Sequence, residues 1–380
     1  MRRVGMVFLG TLLAAALSFP AGAADTIKIG TILSVTGPAS FLGAPEAKTL
    51  EMLVAETNRK GGILGKKVEL VVKDSGASPE KAFSFAKQLI EEEKVFAIIG
   101  PSTSGETMKI KGLAEEGKTI LMSCAAAEVI VNPVAKYVFK TPQKDSDAVL
   151  MIFQQMKKMK ISKIGVLSSN TGFGKAGKEQ IEALAPKNGI TILANEVYDK
   201  AASDLTAEVT KLKAANVEAI VNWSIEPAQA IVIKNARQIG LKVPIFQSHG
   251  FGNIKYVDAA GEAAEGVMFP AGRLLVADQL PKNNPQRDLL LKYKKDYQSY
   301  CQGEECSTFG GHAYDAFIIL QRAIEKANST DKEKVRAAIE QLKGVVGTAG
   351  IFNFSPTDHN GLDIDAFVML VVRKGKFTIL

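Results

Sequence analysis

Histidine and cysteine are scarce in this chain, three of each among 380 residues, and tryptophan occurs once. Three cysteines are too few to staple a chain of this length as a disulfide scaffold. His249, His312 and His359 are scattered, and no ligand spacing joins them to one another or to the cysteines, so no metal is expected, and no cofactor either. A Gly-x-Ser-x-Gly elbow, a His-Glu-x-x-His helix and a phosphate-binding Gly-x-x-x-x-Gly-Lys-Ser/Thr loop are all missing. The loops at the strand ends hold no paired carboxylates for acid–base work; Glu226 is the one acid there. Charge of one sign is not concentrated either. Lys157-Lys158-Met159-Lys160 and Lys292-Tyr293-Lys294-Lys295 are the only dense basic spots; both fit the wet faces of helices, and neither is interleaved with exposed aromatics as a nucleic-acid groove requires. These absences argue against an enzyme, a metalloprotein and a nucleic-acid binder.

A long apolar run is lacking as well. Val7 to Leu17 is too short for a bilayer span, which takes about 20 residues. It follows Arg2 and Arg3 and precedes Ala21-Gly22-Ala23, the order of a secretion signal. Residues 1–24 are expected to be removed after Ala23 or Ala24, leaving about 355 residues, enough for two domains. With Arg2 and Arg3 gone, 45 of the 47 basic residues face 40 acidic ones, a thin surplus. The product is expected in the periplasm, an oxidising compartment, where Cys301 and Cys306 flanking Gln-Gly-Glu-Glu are expected to form a local disulfide. Cys124, in an apolar turn, reads as a buried inert thiol.

What the chain does have is alternation. Strand-like runs at 26–33, 68–74, 95–100 and 119–123 are separated by helical patterns at 44–59, 79–93 and 104–116. The pattern restarts with helices at 145–158, 175–188, 204–215 and 227–239 between strands at 163–169, 191–198, 218–224 and 243–248. Helices at 311–327 and 331–342 follow, and 366–380 reads as a hairpin around Lys374-Gly375. The fold class is therefore α/β, with two open and mostly parallel sheets covered by helices. In such sheets the loops leaving the C-terminal strand ends build the site. Here those loops, at 34–43, 100–105, 123–127, 168–174, 223–227 and 248–253, carry small residues, hydroxyls, amides and a few aromatics, with almost no charge. Several lead into helices, whose free N–H groups would suit an anionic group of a small ligand.

Those residues resemble a known family. Gly30–Gly43 (GTILSVTGPASFLG), the GG-IxGKKVEL-xxxDS stretch at 61–75, LIEEEKVFAIIGPSTSGE at 89–106, NTGFGKAG at 170–177, NARQIGLKVPIFQSHGFG at 235–252 and AAEGVMFP at 263–270 are similar to the branched-chain amino-acid type of periplasmic substrate-binding protein. The resemblance covers essentially all of the mature chain, in order. It implies a two-lobed type I binding protein that closes on a small molecule and delivers it to an inner-membrane ABC permease. One lobe would comprise 25–143 plus 273–352 and the other 144–272 plus 353–380; a monomer is expected. An extracellular sensor feeding a receptor shares the fold and is the rival reading.

The resemblance also implies site residues. The family grips an amino acid's carboxylate with hydroxyls and backbone N–H groups of the first lobe, matched here by Ser102, Thr103 and Ser104 and by the turn Ser123, Cys124, Ala125, Ala126, Ala127. Ala127 replaces a usual Thr and Phe173 a usual Tyr, and His249 aligns with the acid that normally receives the ammonium. Trp223 is expected at the cleft, and Phe41 and Leu42 from the first loop. Capping and core packing are the plain alternatives for Ser102, Thr103 and Trp223. Without a fixed negative charge at 249, the expected ligand is a small carboxylate lacking an ammonium, an aromatic acid sandwiched by Phe41, Phe173 and Trp223. The alternative is leucine, isoleucine, valine or another hydrophobic amino acid, with Glu226 as the substitute acid. His312 and His359 read as structural.

Overall fold

A parallel sheet hides both faces only if its connections cross over it as helices, and the chain follows that rule twice. The structure, a computed structural model, describes residues 26–380; the expected signal segment lies outside the described residues. In the first lobe β1 (Ile27–Leu33), β2 (Val68–Asp74), β3 (Ala97–Ile99), β4 (Ile120–Ser123) and β5 (Val138–Lys140) form an all-parallel sheet in the order β2-β1-β3-β4-β5. Its first helices are α1 (Ser40–Arg59), α2 (Pro79–Lys87) and α3 (Ser104–Glu116). Local chemistry sets their starts. Ser78 accepts the Lys81 N–H ahead of Pro79, and Thr103 accepts the Glu106 N–H.

Then α4 (Asp145–Lys158) enters the second lobe. There β6 (Lys163–Ser169), α5 (Gly172–Leu184), β7 (Thr191–Tyr198), α6 (Thr206–Ala214), β8 (Ala219–Trp223), α7 (Ala228–Gln238), β9 (Ile245–Gln247), α8 (Ile254–Ala260) and β10 (Met268–Ala271) follow. The chain returns to the first lobe through α9 (Arg287–Tyr300), α10 (Thr308–Ala327), α11 (Lys332–Glu340) and the small ribbon β11 (Val345–Val346) and β12 (Ile351–Phe352). Leu290, Phe317 and Ile339 share a core with Ile29 and Ile99. The hairpin β13 (Val368–Arg373) and β14 (Lys376–Ile379) completes a sheet ordered β14-β13-β10-β9-β8-β6-β7, antiparallel only at the hairpin end. Lys374 and Gly375 turn it with φ of 51° and 68°, the left-handed pair that a two-residue hairpin favours.

Three crossovers join the lobes, and they are tied to one another. Asn360 donates from Nδ2 to the Lys140 and Pro142 carbonyls (3.3 and 2.8 Å), and Gln143 donates to the Ala349 carbonyl at 2.8 Å. His359 stacks on Phe139 at 4.0 Å and meets the Val138 carbonyl through Nδ1 at 2.9 Å. These bonds hold residues 353–361 against the first crossover. Phe354, Leu362 and Ala366 consequently remain in the first core, and Phe367 is the residue that enters the second. The second lobe, expected to resume at 353, resumes at 367.

The disulfide is also corrected: Cys301 and Cys306 are free thiols. Cys301 ends α9 with its N–H on the Tyr297 carbonyl and stays partly exposed, while Cys306 turns into the first core. Burial pushes the Cys306 thiol up to about 12. Alkylation of denatured, unreduced protein should therefore add three groups by intact mass; a gain of one would restore the bridge.

Candidate ligand site

The C-terminal strand ends of the two sheets face each other, and the lobes meet there closely. A Cβ placed on Gly172, at the start of α5, would lie 2.9 Å from the Gly105 nitrogen at the start of α3. The Asn253 side chain donates to the Phe41 carbonyl at 3.0 Å, and the Thr308 N–H donates to the Gly252 carbonyl at 3.0 Å. Glu304 bridges Lys48 of α1 to Lys255 of α8, the latter at 3.1 Å. This is a closed cleft.

It holds a small inner pocket of about 20 Å³. From the first lobe come Leu42, Ser102, Ser104, Cys124, Ala125 and Ala126. Phe309 and His312 of α10 complete that side. The second lobe supplies Phe173, Ile225, His249 and Gly250. Ser104, Phe173 and Ile225 also line a wider outer chamber of about 190 Å³, together with Thr103, Gly105, Gly172, Lys200 and Glu226. Helices α3 and α5 both point their N-terminal ends at that chamber, so two sets of unpaired backbone N–H groups converge on it.

Hydrogen-bond accounting separates the expected hydroxyls. Ser102 donates to Glu46 and accepts the Ser34 N–H at 3.0 Å, so its hydroxyl is consumed inside the lobe. Thr103 caps α3 and donates to Glu106 at 2.6 Å. Ser123 lies beneath the cavity wall, shared with Thr107 at 2.9 Å and accepting the Ala125 N–H. Ala127 lines neither chamber; its N–H donates to Ser104 Oγ at 3.2 Å. That bond leaves the Ser104 proton free, and Ser104 is the hydroxyl with donating capacity toward both chambers. The Glu46 carboxyl, fully buried, is pushed well above its ordinary value by desolvation, with the Ser102 hydrogen bond pulling the other way.

The aromatic sandwich is not what the structure builds. Trp223 is fully buried, 5.7 Å from Phe173 and 5.6 Å from His249, and lines neither chamber. Gly177 of α5 makes room for it: a Cβ there would stand 2.0 Å from the indole nitrogen. Phe41 packs on Tyr256 at 5.2 Å, also away from both chambers. Phe173 does line the cavity, with Phe309 as a second ring that the sequence did not suggest.

Both cavity histidines are neutral. Burial, then Lys140, then His312 hold the His249 ring well below the ordinary value, and burial and Lys140 take His312 down to about 3. Neither His249 nitrogen has a hydrogen-bond partner, nor has His312 Nδ1. Asp145 Oδ1, at 3.5 Å from His249 Nε2, is too long a contact to count as one. His312, read as structural from the sequence, thus stands in the cavity wall. His359 is structural as expected, in the crossovers.

Known proteins bear on the arrangement. The model of the periplasmic binding protein family matches residues 26–376. A Leu/Ile/Val-binding protein homolog of Brucella melitensis is 26% identical over 90% of this chain and 91% of its own length. A leucine-, isoleucine-, valine-, threonine- and alanine-binding protein of Pseudomonas aeruginosa is 26% identical over 89% and 88%. An extracellular ligand-binding receptor from Rhodopseudomonas palustris superimposes with a TM-score of 0.88 at 28% identity, covering 93% of this chain and 99% of that one.

The two aromatics on either side of the cavity wall should behave differently. Phe173→Ala should weaken ligand binding about tenfold or more, since a ring buried against a ligand is worth roughly a kcal/mol beyond its area. Trp223→Phe should lower the melting temperature, for a loss of roughly 0.5–3 kcal/mol, while affinity stays within about threefold. Thermal melts and calorimetry on both variants check this.

Proposed function

We propose, because the chain belongs to the periplasmic binding protein family, that it is the non-catalytic solute-binding component of an ABC uptake system and closes on a small carboxylate without an ammonium group. It acts in the periplasm after loss of residues 1–24, and passes its ligand to a permease of the branched-chain amino-acid type. The observation that carries the ligand class is the cavity lining: among the described residues it holds two neutral histidines and no acidic side chain. An ammonium enclosed there without a counter-charge would cost several kcal/mol. Asp145 does not line the cavity, and burial pushes its carboxyl up to about 8, with Lys140 pulling the other way. The Ser104 hydroxyl and the N–H of Ala126, which no acceptor in the protein occupies, suit a carboxylate. Phe173, Phe309, Leu42 and Ile225 suit an apolar body, and an aromatic acid is the finer assignment.

A hydrophobic amino acid is the second reading, favoured by what the relatives are named for and by Glu226. That carboxylate lines the outer chamber and accepts from Ser224 Oγ at 2.7 Å and the Ile225 N–H at 3.2 Å. An ammonium lying in the outer chamber could reach it.

Calorimetry of ligand-stripped protein against benzoate, 4-hydroxybenzoate, leucine, valine and phenylalanine separates the two. Binding of an aromatic acid at about micromolar Kd, roughly −8 kcal/mol, is expected, with a smaller radius of gyration at saturation as the population shifts to the closed form. Leucine binding with every aromatic acid silent would overturn the ligand class; Glu226→Gln should then abolish the leucine signal.

A further inference from the structure

We propose that His249 and His312, one from each lobe, act as a neutral two-histidine clamp that selects an uncharged hydroxyl or carbonyl on the ligand and that holds the cleft shut only while both rings are unprotonated. The inference rests on the reading of the chain as a small-carboxylate binder and adds to it the polar group the ligand must carry.

Buried polar atoms in folded proteins almost always have partners, so unpartnered ones in a cavity wall mark what the cavity receives. Here three ring nitrogens of two lining residues are unpartnered, Nδ1 and Nε2 of His249, the latter 3.5 Å from Asp145 Oδ1, and Nδ1 of His312, and both side chains are at least nine-tenths buried. Their backbones are fixed independently. Ser248 caps the short turn carrying His249, and the His312 carbonyl accepts the Thr141 hydroxyl at 2.9 Å. A neutral imidazole offers one donor and one acceptor, which fits a hydroxyl or a carbonyl and leaves a cation uncompensated.

The groups around the pair explain the neutral state. His249 faces Asp145 from α4, Lys140 from the first crossover and His312 from α10, while Phe173, Trp223 and Phe367 wall off the rest. Lys140 Nζ is fixed by the Pro142 and Gln143 carbonyls at 2.7 and 2.9 Å, and Lys144, Glu128 and Asp147 lie beyond it. Lys140 and the opposite histidine both disfavour a proton on His249, and Lys140 does the same to His312.

Opening the cleft takes the opposite lobe off each ring, which moves its titration back toward the 6.5 of an imidazole in water. The closed form has the depressed value, so its advantage is complete above about pH 6.5 and falls with acidification, by up to tenfold per pH unit for each ring. A carboxylate ligand stays ionised through that window, so its own titration does not interfere.

The experiment measures 4-hydroxybenzoate and benzoate affinity at pH 7.5, 6.5 and 5.5 in the mature chain, in His249→Asn, in His312→Asn and in the double variant. Wild-type affinity should fall at least tenfold from pH 7.5 to 5.5. Each single variant should lose part of that slope and the double variant all of it, and the preference for 4-hydroxybenzoate over benzoate should shrink toward one. Trp223, edge-on to His249 at 5.6 Å, gives an emission signal for the same titration. A flat wild-type profile, or a slope retained in the double variant, would overturn the clamp. Melting curves at pH 7.5 identify a variant that has lost its fold, and the wild-type profile then decides alone. If leucine binds and the aromatic acids do not, the carboxylate reading fails separately, and leucine's own pH slope in wild type and double variant decides the histidines.

Discussion

A polar group taken out of water must find a partner, and this molecule obeys that constraint unevenly. In the crossovers the demand is largely met. Asn360, Gln143 and His359 spend nitrogens on carbonyls of neighbouring crossover segments, and Lys140 on carbonyls of its own. Each such bond contributes on the order of 1 kcal/mol, and leaving one partner buried alone costs more. The joint between the lobes is therefore fixed in its pairing. In the cleft the demand is not met: His249 and His312 have unpartnered nitrogens, and the Ser104 proton and the Ala126 N–H have no acceptor within the protein. Part of the molecule's unspent hydrogen-bonding capacity thus lies where two lobes close on each other. Closure without a ligand costs those hydrogen bonds, and closure with a matching one recovers them.

The same accounting changes the meaning of the hydroxyl loop after β3. Ser102 and Thr103 look available in the sequence because nothing nearby consumes them. In the fold, Glu46 of α1 and Glu106 of α3 come to the loop from either side and take both protons. Glu106 also receives the Ser34 hydroxyl at 3.1 Å, so one carboxylate joins the loops after β1 and β3. Two hydroxyls and two carboxylates therefore shape the first-lobe wall. Ser104, the first residue of α3, lines the pocket instead, and its hydroxyl accepts the Ala127 N–H.

Much of the fold was legible because local signals agreed with tertiary ones. The ranges of α3, α4, β2, β6 and β7 match the sequence reading end to end, each bounded by a cap, a glycine or a β-branched run. Elements without such signals were missed. β5 has three residues and is held mainly by its neighbour β4, and α9 is too polar to show a clear apolar stripe. At the site, His249 and Phe173 were readable from the family resemblance and the bending loops around them. His312 was not. Its local text, Gly310-Gly311-His312 inside a helix, gives no binding signal. The glycines are there for packing, since a Cβ on Gly310 would lie 2.6 Å from the Tyr293 hydroxyl and one on Gly311 2.6 Å from Thr348. That close packing of α10 on the first lobe brings His312 to the cleft, a consequence of the chain's return that no local pattern encodes. The aromatic sandwich failed for a related reason. Trp223 is large and apolar, and with Gly177 leaving room the second core takes it whole.

The cavity also contains a thiol, a hydroxyl and two imidazoles, and their states differ from those of a connected catalytic set. Cys124 is a nucleophilic atom in the wall, but burial, reinforced by Glu46, holds its thiol well above the ordinary value. A reactive cysteine needs the opposite, a positive neighbour or helix end that favours the thiolate. Ser104 has a hydroxyl in the wall, yet no ring nitrogen of His249 bonds to it or to Cys124, so no base is in place to take a proton. His249 lacks an orienting hydrogen bond, Asp145 being 3.5 Å away with its carboxyl pushed up by burial. Nucleophile, base and orienting acid are thus all present and none is connected to the next, whereas catalysis by such groups depends on that connection. What remains is a set of donors and acceptors in an apolar pocket between two lobes, a geometry suited to enclosing a small molecule.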